Sequence, residues 1–256
     1  CKLISEGHSQ GVGLMVFPEL CLTGYTCGDL FLQDALIEGA RGELGKIVFY
    51  TKGLNMIVFV GLPWMHRGKL YNVAGAICDG RLLGVVPKIN LPNYSEFYER
   101  RHFTPGNQIP EMTKWQDGEV PMGTNLLFAC KEHPELVIAS ELCEDVWVPC
   151  PPSIRHLLAR ATVIANRSAS HGVVGKDSNR KQLISGQSAR LLSAYVYAKA
   201  GEGESTQDLV FGGHNIIAEN GTILAQSKRF RPSAIYADLD IERLRSERRK
   251  TTTCPA

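Results

Sequence analysis

Residues 73–88 have the sequence VAGAICDGRLLGVVPK, and this stretch decides the fold. Its two apolar runs, 73–78 and 82–86, have the length and composition of buried strands. Asp79-Gly80 lies between the two runs, and such a pair favours the tight primed turn of a β-hairpin. The second run ends in Pro87 and Lys88, so the stretch predicts a hairpin whose second strand delivers a cation at its end.

Similar short apolar runs recur on both sides of this hairpin. They cover residues 13–17, 56–61, 126–129, 136–139, 162–165, 195–198, 214–218 and 222–225. Asn220-Gly221 marks a second hairpin, whereas helical patterns over 30–51, 153–160 and 181–192 separate other strands. Because helices alternate with strands while hairpins are also present, the sequence predicts an α/β sandwich with mixed sheets instead of one all-parallel sheet.

Composition narrows the class of protein. The 256 residues suffice for one large domain, and the net charge of +2 gives no reason to expect a nucleic-acid or membrane partner. No apolar run approaches the ~20 residues that span a bilayer, and no signal segment opens the chain. The eight cysteines include no Cys-x-x-Cys pair, so we expect a cytoplasmic protein without a bound metal. Cys78 and Cys130 lie in apolar runs and are expected to be small core residues.

The two ends of the sequence differ in character. The first residue is Cys1, and residues 3–8 have the pattern of a helix, so we expect a first strand to precede them. We expect one domain over 1–240. Residues 241–256 combine a charged, solvated helix with the start of a linker to a further domain.

Three polar residues, Glu19, Lys88 and Cys143, each follow a predicted buried strand. Taken singly, Cys143 fits an inert structural thiol and Lys88 a solvated strand cap. Together a base, a cation and a thiol at one rim form a complete set for acyl transfer at a carbon–nitrogen bond.

These three segments resemble the Glu-Lys-Cys triad of the nitrilase, or carbon–nitrogen hydrolase, superfamily. Longer stretches at 17–31, 88–99 and 201–213 resemble the glutaminase domain of glutamine-dependent NAD synthetases. The similarity extends over almost the whole chain. It implies a four-layer α-β-β-α sandwich built from two mixed sheets.

The resemblance also implies roles for single residues. Glu19 becomes the general base, Lys88 the residue that stabilises the oxyanion, and Cys143 the nucleophile, with Glu99 as a supporting carboxylate. The implied contacts to the substrate are Tyr94, Phe97, Glu144, Ser170 and Lys176. Lys176 stands where an arginine is expected for the substrate carboxylate, so the charge is kept while the bidentate fork is lost.

The implied activity is hydrolysis of the glutamine side-chain amide, which supplies ammonia for NAD synthesis from deamido-NAD. This step needs no cofactor. The sequence has no Ser-Gly-Gly-x-Asp-Ser loop, so ATP and deamido-NAD would bind a synthetase domain or subunit outside this chain. We also expect a homo-oligomer. Two alternatives stay open: a free-standing nitrilase-type amidase that acts on another small amide, and a catalytically silent scaffold subunit.

Overall fold

Two six-stranded mixed sheets form the centre of the fold in the computed structural model, which describes residues 1–206, 208–231 and 233–254. Gln207, in the glycine-rich stretch at 201–213, lies outside the described residues, as do Pro255 and Ala256 of the predicted linker.

The first sheet is built around the hairpin that opens the sequence analysis. Its strands are β1 (Leu14–Val16), β2 (Ile57–His66), β3 (Lys69–Cys78), β4 (Arg81–Pro87), β5 (Glu111–Trp115) and β6 (Gly118–Met122), in the order β1-β2-β3-β4-β6-β5. The strands β2, β3 and β4 form an antiparallel meander, while β1 and β6 add parallel pairs at β2 and β4. Asp79 and Gly80 have φ angles of 46° and 69°, which confirms the primed turn.

The second sheet has a parallel centre. Its strands are β7 (Leu127–Ala129), β8 (Val137–Leu142), β9 (Val163–Ser168), β10 (Ala194–Lys199), β11 (Ile216–Glu219) and β12 (Thr222–Gln226), in the order β12-β11-β10-β9-β8-β7. The parallel strands β8, β9 and β10 end at the same edge, and this edge carries Cys143 and Ser168. The predicted hairpin at Asn220-Gly221 joins β11 to β12.

Six α-helices flank the sheets in the part of the chain that the structure describes. They are α1 (Lys2–Ser9), α2 (Asp34–Tyr50), α3 (Glu99–His102), α4 (Pro152–Leu158), α5 (Lys176–Arg190) and α6 (Ile241–Lys250). The stretch predicted as one helix over 30–51 is divided, because Gln33 is extended and separates α2 from a 3₁₀ turn at Gly28–Leu32. The helix predicted over 181–192 begins earlier, at Lys176, after Gly175 in the left-handed region. None of these helices is long and apolar enough to cross a membrane.

Three apolar clusters lie between successive layers. One packs Leu44 of α2 onto the first sheet, a second joins Phe59 of that sheet to Val163 of the other, and a third packs Ile184 of α5 onto the second sheet. This arrangement confirms the predicted four-layer α-β-β-α sandwich of two mixed sheets.

One expectation about exposure is incomplete and one is wrong. Helix α6 is largely exposed, as expected for a charged helix, but it is also anchored, because Leu244 is fully buried in the cluster between the sheets and Arg248 donates to the carbonyls of Ala161 and Leu192. Cys78 and Cys130 are only partly buried, since the first ends β3 at a hairpin and the second follows the edge strand β7.

Candidate active site

The ends of three strands bring Glu19, Lys88 and Cys143 to one region between the sheets. Glu19 follows β1, Lys88 follows β4, and Cys143 follows β8, so the first sheet contributes the two charged groups and the second sheet the thiol. The absence of a side chain at Gly61 on β2 allows the backbone of the Glu19 turn to pack directly against this strand. A Cβ atom at Gly61 would lie 2.3 Å from the backbone nitrogen of Leu20.

Lys88 is the centre of a buried ion network. Its Nζ lies 2.7 Å from Glu19 Oε1 and 2.6 Å from Glu99 Oε1, and the lysine side chain is fully buried. Asn72 on β3 donates to Glu19 Oε1 at 2.7 Å and accepts the backbone N–H of Lys88. The Tyr25 hydroxyl donates to Glu99 at 2.8 Å. The carboxylates and the ammonium are therefore fixed without help from bulk water.

A further contact ties this network to the second sheet. Glu19 Oε2 accepts the backbone N–H of Ala169 at 2.8 Å, in the loop that follows β9. Glu19 is thus held by both sheets at once.

Burial and charge shape how these groups titrate. Burial favours the neutral form of Lys88, but Glu19 and Glu99 outweigh it and raise the pKa of the ammonium well above its usual value. Burial, together with Glu19, raises the pKa of the Cys143 thiol to about 12, although Lys88 opposes this rise. Burial also raises the pKa of Glu99 to about 7, against the stabilising charge of Lys88. The resting thiol is therefore protonated and needs a base.

The turn that carries Cys143 is strained and tightly held. Cys143 has a φ of 42°, a conformation that a non-glycine residue adopts only where its surroundings impose it. Its backbone N–H donates to Asn166 Oδ1 at 3.2 Å. Asp145 accepts the N–H of Leu142 at 3.0 Å and two N–H groups of Asn90 at 2.9 and 2.8 Å. Asp145 thereby joins the Cys143 turn to the loop that follows Lys88.

The predicted contacts Tyr94, Phe97 and Glu144 lie together at the mouth of this region. The Tyr94 hydroxyl donates to Glu144 Oε1 at 2.8 Å, and the Tyr94 and Phe97 rings lie 6.0 Å apart with edge-to-face geometry. Tyr94 stays exposed, whereas Phe97 is buried. An aromatic loop thus borders the residue that directly follows Cys143.

Ser170 and Lys176 approach from the second sheet. Ser170 is buried, and its Oγ lies 3.4 Å from Nη2 of Arg180. Lys176 Nζ lies 5.4 Å from the centre of the Trp147 ring and 3.1 Å from His171 Nδ1. Burial lowers the pKa of Lys176, while the nearby Cys143 raises it. Ser170 is linked to Cys143 through Ser168, and the charge of Lys176 interacts with that of Cys143. Phe97 instead packs edge-to-face against the rings of Tyr94 and His171.

Several residues of the site were missed from the sequence. They are Tyr25, Asn72, Asp145, Asn166, Ser168, Arg180 and Tyr197. Most of their contacts at the site join residues distant in sequence, so no spacing marks them. The only available signal was the position of Asn166 and Ser168 at the end of a predicted strand.

A cavity of about 160 Å³ opens next to Glu99. Tyr25, Phe97, Asp208 and Leu209 contribute to its lining. Glu99 Oε2 is buried and has no hydrogen-bond partner among the described residues. One oxygen of the Glu99 carboxylate, which contributes to the cavity lining, is therefore free to accept a hydrogen bond.

Comparison with known protein families gives a match to the carbon–nitrogen hydrolase family over residues 1–249. The chain belongs to this family. A glutamine-dependent NAD(+) synthetase of Mycobacterium tuberculosis is 46% identical over 249 residues, which are 96% of this chain and 36% of that protein. A glutamine-dependent NAD(+) synthetase of Thermotoga maritima is 34% identical over 243 residues, 94% of this chain and 38% of that protein.

Two solved structures agree with the fold. A glutamine-dependent NAD(+) synthetase from Cytophaga hutchinsonii superposes with a TM-score of 0.79 at 31% identity, over 88% of this chain and 36% of that one. An amidase from Nesterenkonia sp. has a TM-score of 0.67 at 20% identity, over 88% of this chain and 77% of that one, and supports the fold alone. The chain thus spans little more than a third of the length of its synthetase relatives.

Proposed function

We propose that this domain hydrolyses the side-chain amide of glutamine through a covalent thioester on Cys143. The observation that carries the proposal is the buried ammonium of Lys88, which lies 2.7 Å from Glu19 at the same strand ends that present the strained Cys143. A carboxylate base, a fixed cation and a thiol are what an amide-cleaving nucleophile requires.

In the first step Glu19 takes the thiol proton as Sγ attacks the amide carbon. The new S–C bond pushes the carbonyl electron pair onto oxygen, and Lys88 stabilises the resulting negative charge. The tetrahedral intermediate then collapses, the C–N bond breaks, and the protonated Glu19 gives its proton to the leaving nitrogen, which departs as ammonia.

In the second step water attacks the γ-glutamyl thioester. Glu19 accepts a proton from the water, the S–C bond breaks, and the thiolate is reprotonated as glutamate leaves. General acid–base catalysis contributes ~10²–10⁴-fold and a donor to the oxyanion ~10²–10³-fold. Loss of Glu19, Lys88 or Cys143 is therefore expected to abolish turnover.

The residues around the thiol suit the amino-acid end of glutamine. Glu144 supplies a negative charge for the α-amino group, and Tyr94 orients Glu144 through their hydrogen bond. Lys176 supplies a positive charge for the α-carboxylate and Ser170 a hydroxyl, while Phe97 provides an apolar wall.

The relatives support a synthetase module as the partner of this reaction. They are named glutamine-dependent NAD(+) synthetases, and this chain matches about a third of their length. We infer that the ammonia released at Cys143 is delivered to a synthetase module, which binds ATP and deamido-NAD, in a cytoplasmic homo-oligomer. The inference is tested by measuring glutamine-supported formation of NAD from deamido-NAD by that assembly. The Cys143→Ala variant is expected to lose this activity with glutamine as the nitrogen source and to keep it when an ammonium salt is supplied instead.

The glutaminase step is tested on the chain itself. Ammonia and glutamate released from L-glutamine are measured beside L-asparagine and simple aliphatic amides, with Cys143→Ala as the control. Equal release of both products from glutamine alone, absent in Cys143→Ala, is the expected result. Preferential cleavage of an aliphatic amide favours the free-standing amidase, and a folded chain without any amidase activity favours the scaffold subunit.

A further inference from the structure

Ser168 lies at the end of β9 and donates a hydrogen bond to the sulfur of Cys143, with 3.2 Å between Oγ and Sγ. Its own oxygen accepts two hydrogen bonds, from the Tyr197 hydroxyl at 2.6 Å and from the backbone N–H of Ser170 at 3.1 Å. A serine oxygen has two lone pairs and one proton. With both lone pairs occupied, the proton of Ser168 remains for the sulfur.

The Tyr197 hydroxyl has its direction set by the next group. Tyr197, on β10, is buried, and the guanidinium of Arg180 on α5 lies beside its hydroxyl, where the charge of Arg180 opposes the rise that burial causes in the pKa of the phenol. A guanidinium contains donors only. The tyrosine therefore cannot donate its proton to Arg180, and the phenolic proton is directed to Ser168.

Arg180 is itself fixed in place. It is buried, and its Nη2 donates to Ser170 Oγ and to the His171 carbonyl at 3.4 and 3.3 Å. The nearest carboxylate oxygen in the described part of the chain, on Asp177, lies 3.9 Å from Nη1 and so neutralises the guanidinium only in part. The positive charge of Arg180 therefore lies behind the Tyr197 and Ser168 hydroxyls, the second of which donates to the sulfur of Cys143.

We propose that Tyr197 and Ser168, with the charge of Arg180 behind them, form a relay of hydrogen bonds that stabilises negative charge on Cys143 Sγ. Ser168 touches the reacting atom and is thus a further catalytic residue, while Tyr197 and Arg180 are positioning residues that act through it. The proposal rests on the proposed role of Cys143 as the nucleophile.

The relay stabilises a thiolate that the other neighbours of Cys143 destabilise. Burial, Glu19 and Glu99 all disfavour a thiolate at this position, and Lys88 is shared by the two carboxylates. When Glu19 removes the proton, the S–H bond breaks and its electron pair stays on sulfur, where the Ser168 hydroxyl strengthens its hydrogen bond. No proton moves along the relay. The same donors also stabilise the thiolate that leaves when water cleaves the thioester.

The test measures the reactivity of Cys143 toward iodoacetamide as a function of pH, with peptide mapping to separate it from the other cysteines. The variants are Ser168→Ala and Tyr197→Phe. Ser188→Ala is the matched control, because Ser188 is also a buried serine that donates to a backbone carbonyl and accepts an N–H, but at the far end of α5. Ser168→Ala removes none of the titratable groups whose charge interacts with the Cys143 thiol. These groups are Glu19, Tyr25, Lys88, Tyr94, Glu99, Lys176, Tyr197 and Lys199.

The relay predicts that Cys143 in Ser168→Ala is alkylated roughly tenfold more slowly than in wild type at every pH from about 7 to about 10, which moves the rate–pH profile up by about one pH unit. The profile of Tyr197→Phe moves by less. The size follows because a hydrogen bond to a charged group is worth roughly a tenfold change in such an equilibrium. The kcat for glutamine is expected to fall roughly tenfold in Ser168→Ala at unchanged KM. Ser188→Ala keeps the wild-type profile. Ser168→Thr retains the hydroxyl, so its alkylation profile is expected to lie close to that of the wild type.

Unshifted profiles in folded Ser168→Ala and Tyr197→Phe would overturn the relay. If Tyr197→Phe fails to fold, the comparison of Ser168→Ala with Ser168→Thr decides, and equal profiles for these two would also overturn it. Alkylation needs no glutamine, so the relay and the glutaminase proposal fail by different measurements.

Discussion

Glu19 and Glu99 accept hydrogen bonds from the same ammonium, at 2.7 and 2.6 Å from Lys88 Nζ, and all three side chains are buried. One positive charge thus balances two carboxyl groups. The pKa of Glu99 rises to about 7, mainly through burial, so a proton can supply the missing charge near neutral pH. The network is therefore sensitive both to pH and to removal of any member.

Stability should depend on pH through Glu99. The pKa of Glu99 is raised on folding, so its contribution to the free energy of unfolding is fully present below the unfolded value and is lost as the pH rises through about 7. Glu99→Gln removes this dependence. We expect the difference in unfolding free energy between wild type and Glu99→Gln to change by ~1–3 kcal/mol between pH 4.5 and 8.

Urea unfolding at several pH values measures this difference. Glu6→Gln, at an exposed carboxylate on α1, is the control and should leave the curve unaltered. A constant offset between wild type and Glu99→Gln at all pH values would contradict the prediction.

Removal of Lys88 should leave two carboxylates buried without a cation. Lys88→Met is expected to lower the unfolding free energy by ~3–5 kcal/mol, as when one partner of a buried ion pair is lost. Adding Glu99→Gln to Lys88→Met replaces a carboxyl group that Lys88 no longer helps to ionise with a neutral amide. Above about pH 8 this should restore part of the stability but none of the activity. Equal stabilities of Lys88→Met and the double variant in chemical unfolding would argue against the shared ammonium.

Gly61 should be essential for the Glu19 turn. A Cβ atom in Gly61→Ala would meet Leu20 N at 2.3 Å and the Pro18 carbonyl oxygen at 2.8 Å, so the backbone that presents Glu19 must move. We expect a loss of ~1–3 kcal/mol in stability together with a loss of glutaminase activity. Gly42→Ala, with open space around the new Cβ in the exposed part of α2, should instead raise stability by ~0.5–1 kcal/mol. Retention of full activity in Gly61→Ala would refute this reading of the turn.

Asp145 should position Cys143 against the loop after Lys88. In Asp145→Asn one carboxylate oxygen becomes an NH₂ group, which cannot accept the N–H of Leu142 or those of Asn90. We expect a stability loss of ~1–3 kcal/mol and a fall in kcat. Asp117→Asn, at an exposed turn between β5 and β6, serves as the control. An unchanged kcat in folded Asp145→Asn would show that this link does not matter for catalysis.

Much of the framework could be predicted because it is encoded locally. The hairpins at Asp79-Gly80 and Asn220-Gly221 follow from turn chemistry, and the apolar runs place Lys88 and Cys143 at strand ends. Local patterns were insufficient at element boundaries. The extended Gln33 divides one predicted helix, and the packing of Leu244 between the sheets is a tertiary effect that the charges of α6 conceal.

The site residues also divide into those that local sequence patterns predict and those that only tertiary contacts reveal. The residues of the Glu-Lys-Cys set were predicted from their strand ends and from resemblance, whereas Asn72, Asp145 and Ser168 were not. Asn72 meets Glu19 across 53 positions, and Ser168 meets Cys143 across 25. Each of these contacts joins two strands of the same sheet, so it depends on the order of the strands in that sheet, which no periodicity in a single sequence encodes.

The central claim is that Cys143 is the nucleophile of a glutamine-specific pocket. It is tested most directly by exposing the chain to a glutamine-like diazoketone and measuring intact mass and peptide maps, beside Cys143→Ala. The account predicts a single adduct on Cys143 that excess glutamine prevents and that Cys143→Ala lacks. No adduct on the folded chain, or labelling spread over several of the eight cysteines, would contradict it.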